Sequence, residues 1–175
     1  MYVGLIVYEG LDTVSGGYLY DRKLVGHLEA QGDEVEIISL PRRSYARHLT
    51  DNLSPALLAW LRAVEFDVLL QDELNHPSLF RLNERARGSV DYPIVSIVHH
   101  LRTSEEHPAW QRWLYRRVER RYLRSVDAFV FNSEATRAAV RALSGRDGPC
   151  VVAAPAGDRF GETLPPAEVA ARAGR

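Results

Sequence analysis

Tyr2-Val3-Gly4-Leu5-Ile6-Val7-Tyr8 runs into a loop that ends Thr13-Val14-Ser15-Gly16-Gly17, and a segment of helical character follows at once. The first run is near-continuously apolar, as a strand covered on both faces must be. A strand feeding a Gly-Gly turn at a helix start offers main-chain N–H groups, and the positive end of a helix dipole, to an anion. Glycine suits that place because a Cβ would hold a phosphate off the backbone. Ser15, Gly16 and Gly17 are therefore the candidates for a diphosphate-binding loop.

The same apolar pattern recurs at Glu34–Leu40, Phe66–Gln71, Ile94–His99, Asp127–Asn132 and Cys150–Ala154. Segments of helical period lie between these runs at 17–31, 54–64, 77–88, 109–124 and 133–144. Their ends carry the expected punctuation. Gly32 follows the first helix, Pro55 and Pro77 stand near the starts of the second and third, and Ser133 can cap the fifth. Strands alternating with helices predict an α/β fold, Rossmann-like and doubly wound, with a mainly parallel sheet of about six or seven strands. Ligand then belongs beyond the carboxyl ends of the strands, near the switch point.

Those ends carry the polar residues. Asp72, Glu73 and Asn75 follow the third strand, and His99, His100 and Arg102 follow the fourth. His99 and His100 are the candidate catalytic residues, and alternation along a strand predicts that they point in different directions. Asp72, Glu73, Asn75 and Arg102 are candidate acceptor contacts. His76 and Glu73 share a strand end, but nothing has the tight spacing of a zinc motif, and no metal is expected. The dinucleotide, nucleoside-triphosphatase and serine-hydrolase signatures are all missing from the sequence.

Composition narrows the remaining classes. The chain has 175 residues, 46% of them hydrophobic and 26% charged, with a net charge of −1. That balance suits a globular domain and gives no reason to expect nucleic acid as a partner. Cys150 is the sole cysteine, so no internal disulfide can form; lying in the last strand, it is expected to be a packing residue. The early first strand leaves no room for a signal peptide, and no apolar run is long enough to span a bilayer. A cytoplasmic location is expected.

One segment stands apart. In 109–124, Trp110, Trp113, Leu114, Val118 and Tyr122 recur at helical spacing and predict one apolar face. Arg112, Arg116, Arg117, Arg120, Arg121 and Arg124 stand beside them against a single acid, Glu119. A helix of this kind either packs on a core with a solvated basic face or docks on anionic lipid headgroups.

Taken together, Ser15-Gly16-Gly17 after the first strand, Ile97-Val98-His99-His100 at the end of the fourth, Tyr122-Leu-Arg-Ser-Val-Asp-Ala-Phe-Val-Phe-Asn-Ser-Glu134 and Pro155-Ala156-Gly157-Asp158 resemble the N-terminal domain of a glycosyltransferase family 4 enzyme, of the retaining GT-B class. The resemblance extends from Tyr2 to about Phe160. It implies that residues 1–160 form the acceptor-side Rossmann-like domain and that 161–175 are a linker toward an absent C-terminal domain. It further implies a nucleoside-diphosphate sugar as donor and co-substrate, with its diphosphate on the Ser15-Gly16-Gly17 loop. The acceptor is a sugar, a lipid-linked molecule or another small molecule. The histidine ending the fourth strand contacts the transferred sugar, which favours His99, and no metal or other cofactor is required. The family's C-terminal domain, which holds most of the donor, lies beyond the resemblance, so a half-unit inactive on its own is expected. Members that act on lipid-linked acceptors raise the standing of the basic helix, and with it a peripheral position at the inner face of the membrane. The rival reading is a non-catalytic Rossmann-like module that docks on an anionic membrane or a protein through helix 109–124.

Overall fold

The computed structural model describes residues 1–12, 15–146 and 148–155. The Pro155–Asp158 turn beyond its first residue, the domain limit at 160 and the 161–175 linker therefore lie outside the described residues. Strands β1 (Tyr2–Tyr8), β2 (Glu34–Leu40), β3 (Val68–Asp72), β4 (Ile94–Val98), β5 (Ala128–Phe131) and β6 (Cys150–Val152) form one sheet. All neighbouring strands are parallel, in the order β2-β1-β3-β4-β5-β6. The chain first moves outward from β1 to β2, then returns across β1 to build the other side. The switch point consequently lies between β1 and β3.

With right-handed crossovers, that reversal sends the first helix to one face and the later ones to the other. Two separate cores record this. Val3, Leu5 and Val7 of β1 pack with Leu24, Val25 and Leu28 of α1 (Gly16–Ala30). Ile6, Leu69 and Val98 face the opposite core with residues of α3 (Pro55–Ala63), α4 (His76–Ala86), α5 (Ala109–Leu123) and α6 (Glu134–Ser144). The α/β doubly wound architecture is as expected, although among the described residues a single helix serves one face. The apolar character of β1 follows from its position: it is buried from Val3 to Tyr8 because both cores need it.

Gly4 shows how tightly the second core is filled. A Cβ built on it would lie 2.6–2.9 Å from three ring carbons of Phe66, a ring itself held in the core by Tyr2, Trp60 and Tyr92. Gly4→Ala is therefore expected to destabilise the domain by about 1–3 kcal/mol, the usual cost of overpacking. A urea denaturation curve with an unchanged midpoint would refute this account of the glycine.

Serine hydroxyls accept main-chain N–H bonds at three helix starts: Ser15 from Tyr18 (3.2 Å), Ser54 from Leu57 (3.2 Å) and Ser133 from Thr136 (3.1 Å). Gly32 takes φ +89° just beyond α1, where a glycine stop was expected, and Gly145 ends α6 at φ +68°. Three sequence expectations need correction. A short helix, α2 (Tyr45–Asp51), lies in a stretch that carried no predicted element. Cys150 is exposed rather than packed, because β6 is the sheet edge.

The third correction concerns α5. Its buried residues are Tyr115, Val118, Glu119, Tyr122 and Leu123, whereas Trp110 and Trp113 are 68% and 64% exposed. A spacing of four residues advances about 40° beyond a full turn, so the row 110-114-118-122 drifts around the helix. The tryptophans thus share the outer surface with the arginines. Of the six named arginines, Arg121 is taken by Glu84 in a two-pronged ion pair (2.6 and 2.6 Å) and stacks on Phe80. Arg124 donates to the Ser144 carbonyl at the end of α6 (2.9 Å). Arg112, Arg116, Arg117 and Arg120 remain on the surface, with Arg117 over the ring of Trp113. Glu119, the acid expected to offset them, points inward.

Candidate functional site

Beyond the carboxyl ends of β1, β3 and β4 the structure opens into a cavity of about 470 Å³. Its lining includes Ser15, Gly17 and Tyr18 at the start of α1, Arg42 to Tyr45 between β2 and α2, Glu73 and His76 after β3, and His99, His100 and Arg102 after β4. The parallel sheet brings these segments together because every strand exhausts its apolar residues at the same edge.

Gly17 and His99 form a close junction between two of these segments. A Cβ on Gly17 would lie 3.1 Å from Cδ2 of His99, so the bare glycine allows the imidazole to lie against the first turn of α1. One turn further along, Asp21 is fully buried, and its Oδ1 lies 3.1 Å from Nε2 of His99. Tyr20 meets the same ring edge-on at 5.0 Å. Burial alone would lower the pKa of His99, but the Asp21 hydrogen bond and the nearby Asp21, Asp72 and Glu73 carboxyls lift it above the ordinary histidine value. The imidazole thus holds its proton more tightly than an ordinary histidine, beside the amino end of a helix. His100 is exposed and lines the same cavity. β4 ends at Val98, so both histidines stand just beyond the strand, His99 against α1 and His100 exposed. Gly16 opens the helix with free space around it, and Ser15 caps it.

The four acceptor candidates separate into two pairs. Asp72 and Asn75 are fully buried and serve the corner after β3: Asp72 Oδ1 accepts from the Leu74 N–H (2.9 Å), and Asn75 donates to the carbonyls of Ile6 and Asp72. Neither lines the cavity. Glu73 and Arg102 do. Burial pushes the carboxyls of Glu73 and Asp72 up to about 8, the charge of Asp21 adding to the effect at Asp72. Burial thus shifts both toward the protonated form, against the pull of His99.

Glu119 organises the opposite wall from below. Its Oε1 accepts from the Arg102 N–H (2.5 Å) and its Oε2 from the Thr103 N–H (3.1 Å), which fixes the short 102–104 turn. Burial pushes this carboxyl up to about 7. The guanidinium of Arg102 then lies over the touching rings of Tyr45 (5.3 Å) and Tyr115 (4.8 Å). His76 is buried and neutral, its pKa lowered by burial to about 4; its Nε2 meets the Tyr45 hydroxyl (3.1 Å) and its Nδ1 the Glu73 carbonyl (2.9 Å). On the β2 side, His48 stacks on Tyr8, and its Nε2 accepts from the Arg43 N–H (3.0 Å).

Two buried groups bring potential metal-ligand atoms within 4.8 Å of one another: Asp21 with Asp72 and His99, and Glu73 with His76 and Glu119. The hydrogen bonds just described already engage His99 through Asp21, both ring nitrogens of His76 and both oxygens of Glu119. Asp21 Oδ2, Asp72 Oδ2 and Glu73 Oε1, by contrast, are buried without a hydrogen-bond partner. Tyr8, Asp21, Arg42, Arg43, Tyr45, His48 and Glu119 were not among the sequence candidates. Only Asp21, four residues after Gly17 on the same helix, and Glu119, the lone acid in an arginine-rich segment, carried a signal that could have found them.

Residues 19–156 match the model of the glycosyl transferase 4-like domain. The chain belongs to that family. It is accordingly a glycosyltransferase module, a class that acts on a sugar donor and an acceptor, and the Rossmann-like sheet is the fold expected of it. The matched region contains His99, His100 and every acceptor candidate, whereas Ser15 to Gly17 lie just before it. A comparison with curated proteins gave no significant match. Among the described residues, no helix of this glycosyltransferase module is long and apolar enough to cross a membrane.

Proposed function

We propose that the chain is the acceptor-side half of a retaining glycosyltransferase that moves a sugar from a nucleoside-diphosphate donor to an acceptor. The observation that carries the reading is the junction of Gly17 and His99 in one cavity, with Asp21 behind the imidazole. The start of α1 receives the donor diphosphate through main-chain N–H groups, which stabilise the leaving group as negative charge develops on it. His99 contacts the transferred sugar and His100 stands at the rim. Glu73 and Arg102 face the acceptor. Retention follows if the departing phosphate guides attack on the same face, a route that draws on no metal or other cofactor.

The rest of the donor site belongs to a second domain facing this one. Incubated alone with nucleoside-diphosphate sugars and simple sugar acceptors, the chain is expected to bind uridine diphosphate weakly and to release none from the sugar nucleotide. Turnover by the chain alone would overturn the half-unit reading. Failure to bind any nucleoside diphosphate at millimolar concentration would count against the donor loop.

The exposed tryptophans favour a compatible second reading, in which α5 docks on an anionic membrane surface from the cytoplasmic side. Trp110 and Trp113 offer amphipathic rings suited to the headgroup layer, beside four arginines worth about 1 kcal/mol each near such a surface. Arg116→Glu with Arg120→Glu is expected to reduce co-flotation with phosphatidylglycerol vesicles by more than about tenfold. Equal flotation of the variant and the parent chain would refute it.

A further inference from the structure

The charges lining the cavity do not balance, and the excess points to the kind of acceptor it takes. Arg42, on the loop after β2, lines the cavity and makes no ion pair or hydrogen bond among the described residues, whereas its neighbour Arg43 is held by Asp51 at 3.0 Å. Arg102 lies over two tyrosine rings, and its Nε is buried with no acceptor. Among the described residues, none of the acids on the same wall forms an ion pair with either of them. Burial shifts Glu73 toward the protonated form, and Glu105 Oε2 lies 3.2 Å from Nε2 of His107. Glu119 spends both oxygens on main-chain N–H groups. Two guanidinium groups therefore line the cavity without a carboxylate partner among the described residues, one of them half-buried and held against two tyrosine rings.

A neutral sugar would leave both groups with hydroxyl oxygens alone. Guanidinium is weakly hydrated and forms paired, charge-assisted bonds to planar or tetrahedral oxyanions. We propose that the acceptor carries a phosphate or carboxylate group that sits between Arg42 and Arg102. The inference rests on the glycosyltransferase reading and extends it to the acceptor's chemical class. The anion is separate from the donor diphosphate, which is assigned to the start of α1.

The test compares three probes on the 175-residue chain, with binding followed by NMR of the arginine Nε–H and histidine ring signals. Glucose 6-phosphate is expected to shift the Arg102 Nε signal, with inorganic phosphate competing. Arg42→Gln with Arg102→Gln should weaken glucose 6-phosphate binding by at least about tenfold while leaving uridine diphosphate binding unchanged. Arg42→Glu alone changes only an exposed side chain, so its loss of phosphate binding keeps the test decisive if the double variant folds poorly. Phosphatidylglycerol vesicles form the second arm. If the soluble ester fails to bind but vesicle binding falls in Arg42→Glu with α5 intact, the anion is a lipid headgroup.

The proposal is overturned if both arms are indifferent to these changes. It is equally overturned if uridine diphosphate binding falls in step with phosphate binding, because the arginines would then serve the donor. A chain that binds glucose 6-phosphate through Arg42 but never binds uridine diphosphate would retain the anion site and lose the donor assignment, so the two failures are distinguishable.

Discussion

Gly17→Val is expected to abolish uridine diphosphate binding while leaving the fold intact. A single Cβ at this position already lies 3.1 Å from the His99 ring, and the two further methyl groups of valine must push the imidazole away or swing into the anion's place. Either outcome removes at least two charge-assisted bonds, which amounts to a loss of more than about a hundredfold in affinity. Gly17→Ala should fall between the two, since a ring displacement of a few tenths of an ångström suffices. The His99 ring signals supply an independent readout: they should move in both variants even without ligand. Unchanged nucleotide affinity in Gly17→Val, with the histidine visibly displaced, would show that the start of α1 is not the diphosphate site.

The second large effect is on pH-dependent stability. Asp72 and Glu73 titrate near 8 in the folded chain, against ordinary values of 3.8 and 4.5, and Glu119 near 7. A carboxyl with a raised folded pKa stabilises the fold while protonated, and that contribution disappears as pH rises from the unfolded to the folded value. His76, lowered to about 4, works in the opposite direction, but only between about 4 and 6.5. The three carboxyls therefore outweigh it, and the unfolding free energy should decline from about pH 5 to about pH 8, most steeply between about pH 6 and 7 and less so as Asp72 and Glu73 ionise. Each uncompensated proton contributes a slope approaching about 1.4 kcal/mol per pH unit. Glu73→Gln replaces a protonated carboxyl with a neutral amide of the same shape. It should reduce the slope by one proton and make the variant more stable than the parent at pH 8. Denaturant titrations at pH 5, 6.5 and 8 decide the matter, and parallel curves for the two proteins would mean that Glu73 is ionised in the native state.

The strands were legible in the sequence because a sheet covered on both faces admits little but apolar residues, and β1 shows this most plainly. Their ends were less so: β4 was expected to continue through His99, but the polar residues that make a site interesting are also the ones that end a strand. Helix α2 is too short for periodicity to emerge from seven residues. The tryptophans were misplaced on α5 because spacing by four resembles a face until the drift accumulates. Within the site, the glycine loop and histidine doublet could be read locally. Asp21 could not be assigned its role, since its partner lies 78 positions away. Arg42 and Arg102 share no pattern in sequence, and only the parallel sheet puts the loop after β2 on the same cavity as the turn after β4.

Helix α5 carries two kinds of chemistry on opposite sides of one rigid rod. Its outer side presents Trp110, Trp113 and four arginines, while from its inner side a single carboxylate grips the backbone at Arg102 and Thr103. A load applied outside, by a bilayer or by any other surface, is thereby delivered to the turn that aims Arg102. Glu119 ties the helix to that turn, while Val118, Tyr122 and Leu123 root it in the core and the Tyr122 hydroxyl bonds Ser96 of β4. Docking and acceptor capture would then meet in one element of this domain.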